Sequence, residues 1–480
     1  RSMRAVFDHS WRLLSKDERT VLKKLSVFRG GFRAAAAKAV AEAPLPMLVG
    51  LVEKSLLHRT SEGRYQMHEL LRQFAAEKLQ ENSAENEQAH DRHSAHYTAF
   101  LHERGEALKG AEQKQAAVDL DLEIGNARAA WNWAVEHLRV QRLDQAVSGL
   151  CYYFVWRGRY QEAEGACQMA TDRLVRDHLA ERPVVRPVER LRVWAHILAW
   201  QSFVDQYVGH GERAVQRAEQ SLALLNQTKM ANKKYTYLSR DAQDVSPGPT
   251  IDTREVRAFA LLQLGDAMAV SVGSENRQLY EQSLALYRDL GDRWGMAKAL
   301  HGLGGTAASW GAFDDARHML GESLVLRRAL GDKRGMVFPI LILSSLSAKQ
   351  GQLEEAEHWA RESMTIGSEV GDRNYLAAAH AVLGLAFLWQ ARFSQAQTVF
   401  QEGLKCFDDF ESANVNLLRL GTALMKTHQG RYGGALEQAK KGLFLAGEMA
   451  HRWQNANFLW VLGSVALAEE KYAEAREYFQ

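Results

Sequence analysis

Residues 303–332, LGGTAASWGAFDDARHMLGESLVLRRALGD, contain a pattern that recurs along most of the chain. The closing Gly-Asp falls at 291–292, 331–332 and 371–372, a step of 40 residues each time. The Gly-x-Phe-x-x-Ala motif at 311–316 has counterparts on both sides of this stretch. A repeat of this length predicts supersecondary units that stack on their neighbours into a solenoid.

Each repeat predicts two helices. The small residue Gly304 lets the first helix approach its partner closely, and Ala316 does the same from the second helix. Gly311 and Gly331 are expected to end the two helices in the left-handed conformation, and Asp332 is a good N-cap for the next one. Counting these signals predicts about eight hairpins.

Composition limits the possible classes of protein. The 480 residues are 46% apolar and 25% charged, which predicts a globular protein of about three domains. With 60 basic and 58 acidic residues, no overall charge draws the chain to nucleic acid or to a membrane. No apolar run is long enough to span a bilayer.

Cys151, Cys167 and Cys406 show neither disulfide nor metal-ligand spacing, which predicts a reducing, cytoplasmic setting. The first residue is not methionine, as expected of a fragment.

The first 80 residues differ in charge and in pattern from the rest. They contain 15 Lys and Arg against 8 Asp and Glu. Helical periodicity over 3–14, 16–28, 32–42 and 46–55 precedes a predicted hairpin around 60–63, and a last helix is expected to begin near His68. Helices followed by a hairpin predict a winged helix.

The predicted domain organisation follows from these boundaries. It consists of a winged-helix domain over 1–80, a helical linker over 81–140 and a repeat array over 141–480. An insertion at 227–252, which contains Pro247 and Pro249, predicts a flexible surface loop.

The repeats resemble the tetratricopeptide (TPR) family. Leu303-Gly304 with Ala316 and Leu320, and Leu383-Gly384 with Ala396 and Phe400, follow its pattern of small and apolar positions. The 40-residue period is longer than usual for that family. The resemblance implies an all-α fold in which the array is a right-handed α-solenoid of TPR-like hairpins.

Four further stretches resemble a second family, listed here in chain order: SVFRGGF at 26–32, LVEKSLL at 51–57, MHELLRQFA at 67–75 and DLEIGNARAAW at 121–131. They are similar to the winged helix and linker of STAND (signal-transduction) ATPases, a group that includes bacterial maltose-regulator-like proteins and plant disease-resistance proteins. The resemblance implies that a nucleotide-binding domain belongs to the full-length protein, where it would bind ADP or ATP with magnesium. The P-loop of such a domain contains Gly-Lys, a dipeptide that occurs nowhere in this chain. We therefore expect no catalytic, metal or cofactor site here, although the parent protein would be an ATPase.

The same resemblance implies a role for His68. In plant relatives a Met-His-Asp motif contacts the ADP β-phosphate, and Met67-His68-Glu69 matches two of its three positions. A histidine at a helix start adds a donor where the helix dipole already favours anions. The alternative is a histidine that only caps the helix or packs below the hairpin.

Aromatic residues mark the predicted inner face of the array. In TPR proteins the first helix of each hairpin forms the concave wall, and this register places there Tyr152, Trp156, Phe203, Tyr207, Phe259, Phe338, Trp389 and Trp460. Few charges join them beyond Lys298, Lys349 and Asp266. Aligned exposed rings predict a groove for a protein, peptide or small-molecule ligand. In a shifted register the same rings would be hairpin core.

Other functions have weaker support in the sequence. A winged helix reads DNA through the helix before the wing, but Met47 to Ser55 offers only Lys54 as a cation, so nucleic acid is not the expected partner. The spacing of His90, His93 and His96 places only two imidazoles on one helix face, whereas a zinc site needs a third ligand of fixed geometry. A metal site is therefore not expected here. The leading hypothesis is a regulatory, ligand-sensing part of a STAND ATPase whose partner is its own nucleotide-binding domain. The alternatives are a DNA-binding transcriptional regulator and a passive TPR scaffold.

Overall fold

The computed structural model describes residues 3–180, 187–241, 251–268, 275–371, 373–406, 413–448 and 452–480. Within these ranges the chain forms 23 α-helices and one two-stranded antiparallel hairpin. The predicted all-α class is confirmed. By its internal contacts the chain divides into two compact units. The first contains residues 1–108, 114–154 and 165–197, and the second contains 109–113, 155–164 and 198–480. The domain boundaries at 80 and 140 stay a prediction.

The N-terminal segment, defined here as residues 3–80, has helices and strands in the predicted order. Its elements are α1 (Met3–Leu13), α2 (Lys16–Leu25), α3 (Ala34–Ala41), α4 (Leu45–Glu53), β1 (His58–Arg59), β2 (Tyr65–Gln66) and α5 (Glu69–Gln80). Helix α2 begins with a capping box: Ser15 Oγ accepts from Glu18 N, and Ser15 N donates to the Glu18 carboxylate at 2.8 Å. Leu22, Phe32 and Leu48 are buried in a core between these elements.

Two long helices follow, α6 (Ser83–Ala107) and α7 (Gln113–Glu136). Helix α6 crosses α8 (Val140–Trp156) through a pair of glycines, Gly105 and Gly149. A Cβ atom at position 149 would collide with the carbonyl oxygen of Leu101. Glycine at this position therefore permits the close approach of the two backbones.

Eight helix pairs lie within the described residues after position 139, as predicted. They are α8 with α9 (Tyr160–His178), α10 (Pro187–Val208) with α11 (Gly211–Asp241), α12 (Arg254–Met268) with α13 (Glu275–Leu290), α14 (Arg293–Ser309) with α15 (Phe313–Leu330), α16 (Lys333–Lys349) with α17 (Leu353–Val370), α18 (Arg373–Trp389) with α19 (Phe393–Cys406), α20 (Ala413–His428) with α21 (Tyr432–Glu448), and α22 (Arg452–Ala468) with α23 (Tyr472–Phe479).

The repeat residues have the predicted local roles. Gly331 follows α15 with φ +73°, and Gly371 follows α17 with φ +70°. Asp292 and Asp332 cap the next helices, each accepting from a main-chain N–H at 2.9 Å. Asp372 lies outside the described residues. A serine also recurs at the 40-residue step, at 283, 323 and 363. Ser323 Oγ donates to a main-chain carbonyl of α14 at 2.7 Å.

The predicted insertion differs from expectation. Residues 227–241 continue α11 as helix instead of forming a loop. This part of the insertion contains no Gly or Pro, and its Lys, Gln, Met, Arg, Ala and Leu residues favour helix. The remaining prolines, Pro247 and Pro249, lie outside the described residues.

Across the described ranges, no single helix combines the length and the apolar composition needed to cross a membrane. Helices α3 and α4 pass that test only as a pair, and they meet at 106°.

Candidate functional site

The linker motif on α7 contacts the glycine turn of the N-terminal segment. Asn126 Nδ2 donates to the carbonyl of Gly31 at 2.7 Å, and Asn126 Oδ1 accepts from the main-chain N–H of Arg29 at 2.6 Å. The Asn126 side chain is fully buried. It satisfies two main-chain groups that the turn leaves unpaired, so two of the stretches that resemble STAND ATPases meet at one point.

A buried ion pair extends this contact to the hairpin. Arg64, beside β2, pairs with Glu123, and the side chains are 5% and 7% exposed. Tyr97 Oη donates to the second carboxylate oxygen of Glu123 at 3.0 Å, and Asn126 Nδ2 donates to it at 2.8 Å. Burial, reinforced by the Glu123 charge, raises the pKa of Tyr97 well above its ordinary value. We call Arg64, Tyr97, Glu123 and Asn126 the buried network.

Three of the four histidines of α6, His90, His93 and His96, lie close to this network. His93 is fully buried with Nε2 3.3 Å from Asn126 Oδ1, and burial lowers its pKa to about 3. His90 stacks on Trp133 with ring centroids 4.7 Å apart, and burial lowers its pKa to about 4. Both rings are therefore neutral at pH 7. Within the described ranges, no three His, Cys, Asp or Glu side chains converge on a point that could hold a metal ion.

His68 is exposed at the N-terminus of α5. It is the N-cap residue, and its Nδ1 accepts from Leu70 N at 3.3 Å. In the neutral ring Nε2 therefore carries the proton. The next residue, Glu69, binds Arg72 through both carboxylate oxygens, and this pairing lowers the pKa of Glu69 to about 2. His68 therefore caps α5 through its Nδ1. This contact leaves the Nε2–H group as a donor for an anion.

The eight predicted groove residues fall into three groups by exposure. The structure buries Tyr152, Trp156, Phe203 and Phe259, leaves Tyr207 and Phe338 half-buried, and exposes Trp389 and Trp460. The exposed fractions of the last two are 44% and 51%. Their role in binding stays a prediction.

Several of the buried rings cluster around one lysine. Lys298 Nζ on α14 lies 4.9 Å from the ring centroid of Phe203, 5.7 Å from that of Phe259 and 5.0 Å from that of Trp294. Trp200 packs against Phe259 with centroids 4.6 Å apart. These distances are those of cation–π contacts. We call Phe203, Phe259, Trp294 and Lys298 the lysine–aromatic cluster.

A second group of rings surrounds a buried arginine. Arg334 on α16 lies 5.1 Å from the Trp156 ring centroid and 4.6 Å from that of Tyr375. Tyr375 in turn packs edge-on against Phe338, with centroids 4.8 Å apart. The first helices of the repeats therefore combine aromatic rings with cations in both groups.

The sequence reasoning missed several of these residues. Trp200 lies three residues before Phe203 and Trp294 lies four residues before Lys298. This spacing, which places each tryptophan on the same helix face as a residue already singled out, was the available signal. Cys151 and Cys167, which show no disulfide spacing in the sequence, lie with their sulfur atoms 3.2 Å apart as buried free thiols. The cause is the pairing of α8 with α9, which brings the two positions together.

The sequence relatives of this chain include transcriptional regulators, and its structural neighbours include helical-repeat proteins. No family model matches the chain. An HTH-type transcriptional regulator of Mycobacterium tuberculosis is 32% identical over 174 residues, which cover 34% of this chain and 19% of that protein. The matched part is thus about a fifth of the relative's length.

Among solved structures, a Rap protein complexed with competence and sporulation factor superimposes with a TM-score of 0.52 at 11% identity, covering 80% of this chain and 96% of that one. A STAND protein with a tetratricopeptide repeat sensor from Pyrococcus horikoshii has a TM-score of 0.49 at 14% identity, covering 100% and 68%. The chain therefore has a TPR-like helical-repeat fold.

Proposed function

We propose that this chain is the regulatory and ligand-sensing part of a STAND ATPase. The helix pairs would bind a protein, peptide or small-molecule ligand. The N-terminal segment, acting as a winged helix, would stabilise the ADP-bound inactive state of a nucleotide-binding domain that carries the nucleotide and magnesium. A ligand can release such a state only by binding the active state more tightly.

The observation that carries this proposal is the junction made by Asn126. Two stretches that resemble STAND ATPases, 26–32 and 121–131, are separated by nearly a hundred residues, yet they meet through the contacts of this one side chain with Arg29 and Gly31. The two stretches therefore belong to one structural unit. The Rap protein of similar fold is complexed with a factor, which supports a binding role for the repeats.

His68 adds support for the nucleotide contact. Its Nε2–H and the first main-chain N–H groups of α5 are donors at the positive end of a helix dipole. Arg72 lies one turn further along the same helix, with its main-chain N–H bonded to the carbonyl of His68 at 2.9 Å. This arrangement suits a phosphate group brought by a neighbouring domain.

The test compares His68→Ala with His68→Asn in a protein that joins this chain to its nucleotide-binding domain. Asparagine preserves an N-cap acceptor but removes the imidazole donor. If His68 contacts ADP, both variants should release a fluorescent ADP analogue on the order of tenfold faster, as expected for loss of one hydrogen bond to a charged group. If His68 only caps α5, His68→Ala alone should lose about 1 kcal/mol of stability, and neither variant should change ADP release.

A second candidate function is sequence-specific DNA binding, which the name of the mycobacterial relative favours. The surface of α4 argues against it, since Leu45 and Val49 are exposed there and Lys54, just after the helix, pairs with Glu18 at 2.6 Å. Titration with duplex DNA at two salt concentrations separates the two functions. We expect no tight binding, whereas submicromolar, salt-dependent affinity would favour the DNA-binding regulator.

A further inference from the structure

The two helices of a pair contact each other at a recurring pair of positions, sixteen residues apart in sequence. In α14 and α15 these positions hold Gly304 and Leu320, and a Cβ atom added at Gly304 would lie 2.7 Å from Leu320 Cγ. Two later pairs have a phenylalanine ring against a glycine at the same positions, Phe400 against Gly384 and Phe479 against Gly463. Space here is so limited that a large residue on the second helix faces a glycine on the first.

The first pair, α8 with α9, has a cysteine at both of these positions. Cys151 lies twelve residues before the repeat alanine Ala163, and Cys167 lies four residues after it, as Gly304 and Leu320 do about their own alanine. Three other pairs have buried serine or alanine at both positions: Ser202 with Ala218, Ser344 with Ala360, and Ala423 with Ala439. Two of the three cysteines of the chain are therefore brought together by the geometry of the repeat itself.

The two thiols are close enough to be joined. Their sulfur atoms lie 3.2 Å apart, and both side chains are fully buried. A disulfide holds its sulfur atoms about 2.05 Å apart, so the two atoms need to approach by about 1.2 Å. A small rotation of each side chain about its Cα–Cβ bond supplies a movement of this size without leaving the rotamer well.

Burial controls when these thiols react. It is the main cause that raises the pKa of the Cys151 thiol well above its ordinary value, and the neighbouring Cys167 thiol adds to the effect. The thiolate is the reactive form, so the closed helix pair protects both sulfur atoms. An oxidant reaches them when α8 and α9 separate locally.

We propose that Cys151 and Cys167 are an oxidation site, at which a peroxide converts the two thiols into a reversible disulfide that joins α8 to α9. One sulfur, as the thiolate, attacks the peroxide; the O–O bond breaks, water leaves and a sulfenic acid forms. The second thiol then attacks that sulfur, so that the S–S bond forms, the S–OH bond breaks and a second water leaves. The two sulfur atoms together lose two electrons to hydrogen peroxide, and both thiol protons end in water. This site is independent of the function proposed above.

The expected consequence is a first helix pair that opens less often after oxidation. The bond would close a loop of sixteen residues. In the chain-entropy model a loop of about this length changes the opening equilibrium by about a hundredfold. Under reducing conditions both thiols stay free and the pair opens at its ordinary rate, so the site would respond to the supply of oxidant.

The experiment treats the folded 480-residue chain with hydrogen peroxide, blocks the remaining thiols by alkylation and digests the product with trypsin. Cleavage after Arg157 and Arg159 leaves peptides 143–157 and 160–173 connected only if Cys151 and Cys167 are joined. We expect the linked peptides in mass spectra, two hydrogens lighter than their sum and separated by dithiothreitol. Cys406, which is exposed, is the internal control: it should be alkylated in the untreated folded chain, in which the buried pair is protected.

Hydrogen–deuterium exchange tests the effect on the helices. Oxidation should slow exchange in α8 and α9 by about a hundredfold, whereas α14 and α15, which have Gly304 and Leu320 at the facing positions, should be unchanged. Cys151→Ser and Cys167→Ser should each abolish the effect, and the comparison of oxidised with reduced unaltered chain does not depend on whether a variant folds.

Two results would overturn the proposed site. The first is the lack of linked peptides in a chain whose Cys406 has been oxidised, or linkage of Cys151 or Cys167 to Cys406 instead. The second is a disulfide between Cys151 and Cys167 that leaves exchange in α8 and α9 unchanged, because the bond would then not hold the pair together.

Discussion

Replacing Glu123 by Gln tests whether the buried network holds α7 to the hairpin. The change removes the carboxylate that pairs with Arg64, and both side chains are almost entirely buried. Removing one member of a buried ion pair typically costs about 3–5 kcal/mol, because the remaining charge is left without compensation. Glutamine keeps one acceptor oxygen for Tyr97 or Asn126, which conserves about 1 kcal/mol. We therefore expect a loss of about 3 kcal/mol in the free energy of unfolding of this unit.

Two comparisons isolate the buried charge as the cause. Glu81→Gln removes an exposed partner, since Glu81 pairs with Lys78 at 2.6 Å at the C-terminal end of α5, and should change stability by less than about 1 kcal/mol. The double variant Arg64→Met with Glu123→Leu leaves no buried charge. It should therefore lose less stability than Glu123→Gln alone.

The assay is urea denaturation, together with hydrogen–deuterium exchange of peptides that cover the hairpin and α7. Glu123→Gln should accelerate exchange in both, since each depends on the same network. A stability loss no larger than that of Glu81→Gln would refute the reasoning. So would a double variant as unstable as the single one, because the cost would then come from lost packing rather than from an unpaired charge.

Three further predictions follow from other parts of the structure. Gly149→Ala should lose at least about 2 kcal/mol in thermal unfolding, because its Cβ would collide with a carbonyl of α6. His93 has a folded pKa of about 3, below its unfolded value, so the stability it contributes is complete above about pH 6.5 and falls as the pH drops. Acid titration should show about 2–3 kcal/mol of this loss by pH 4.5. Trp389→Ala and Trp460→Ala should weaken ligand capture, measured as retention of synthetic random peptides on the immobilised chain, with stability changed by less than about 1 kcal/mol since both rings are largely exposed.

Each of these three predictions has a control or a contradicting result. Gly165→Ala, at a helical glycine with open space around it, should stabilise by about 0.5–1 kcal/mol, and an equal loss at both glycines would contradict the crossing argument. His93→Gln should flatten the acid dependence; an unaltered pH profile would show that other groups cause it. A marked fall in melting temperature for either tryptophan variant would mean that its ring supports the fold.

Much of the fold could be predicted because its signals are local. Gly331 and Asp332 act within a few residues of themselves, by adopting a left-handed conformation and by accepting from the next helix's first turn. Their 40-residue recurrence therefore predicts helix ends, and from them the number of pairs. The same locality explains the error at 227–241, where the prediction of a loop relied on prolines that lie further along the chain.

The candidate sites were only partly predictable. The sequence singled out His68 by its motif and Lys298 as one of few charges among the aromatic positions. The exposure of each ring depends on how far each helix is rotated about its axis within its pair, and a shift of one residue turns a side chain by about 100°. The period does not determine that rotation, so the sequence alone left groove and core open for all eight aromatic residues.

The residue pattern alone was enough to predict a tandem array of helix pairs preceded by a basic segment of helices and a hairpin. The contacts between distant side chains became known from the folded chain: Glu123 with Arg64, Asn126 with the turn at Gly31, and Lys298 with rings from two other helices. Caps and helical periodicity act over a few residues of chain, whereas burial of a charge or a ring depends on the packing of helices far apart in sequence.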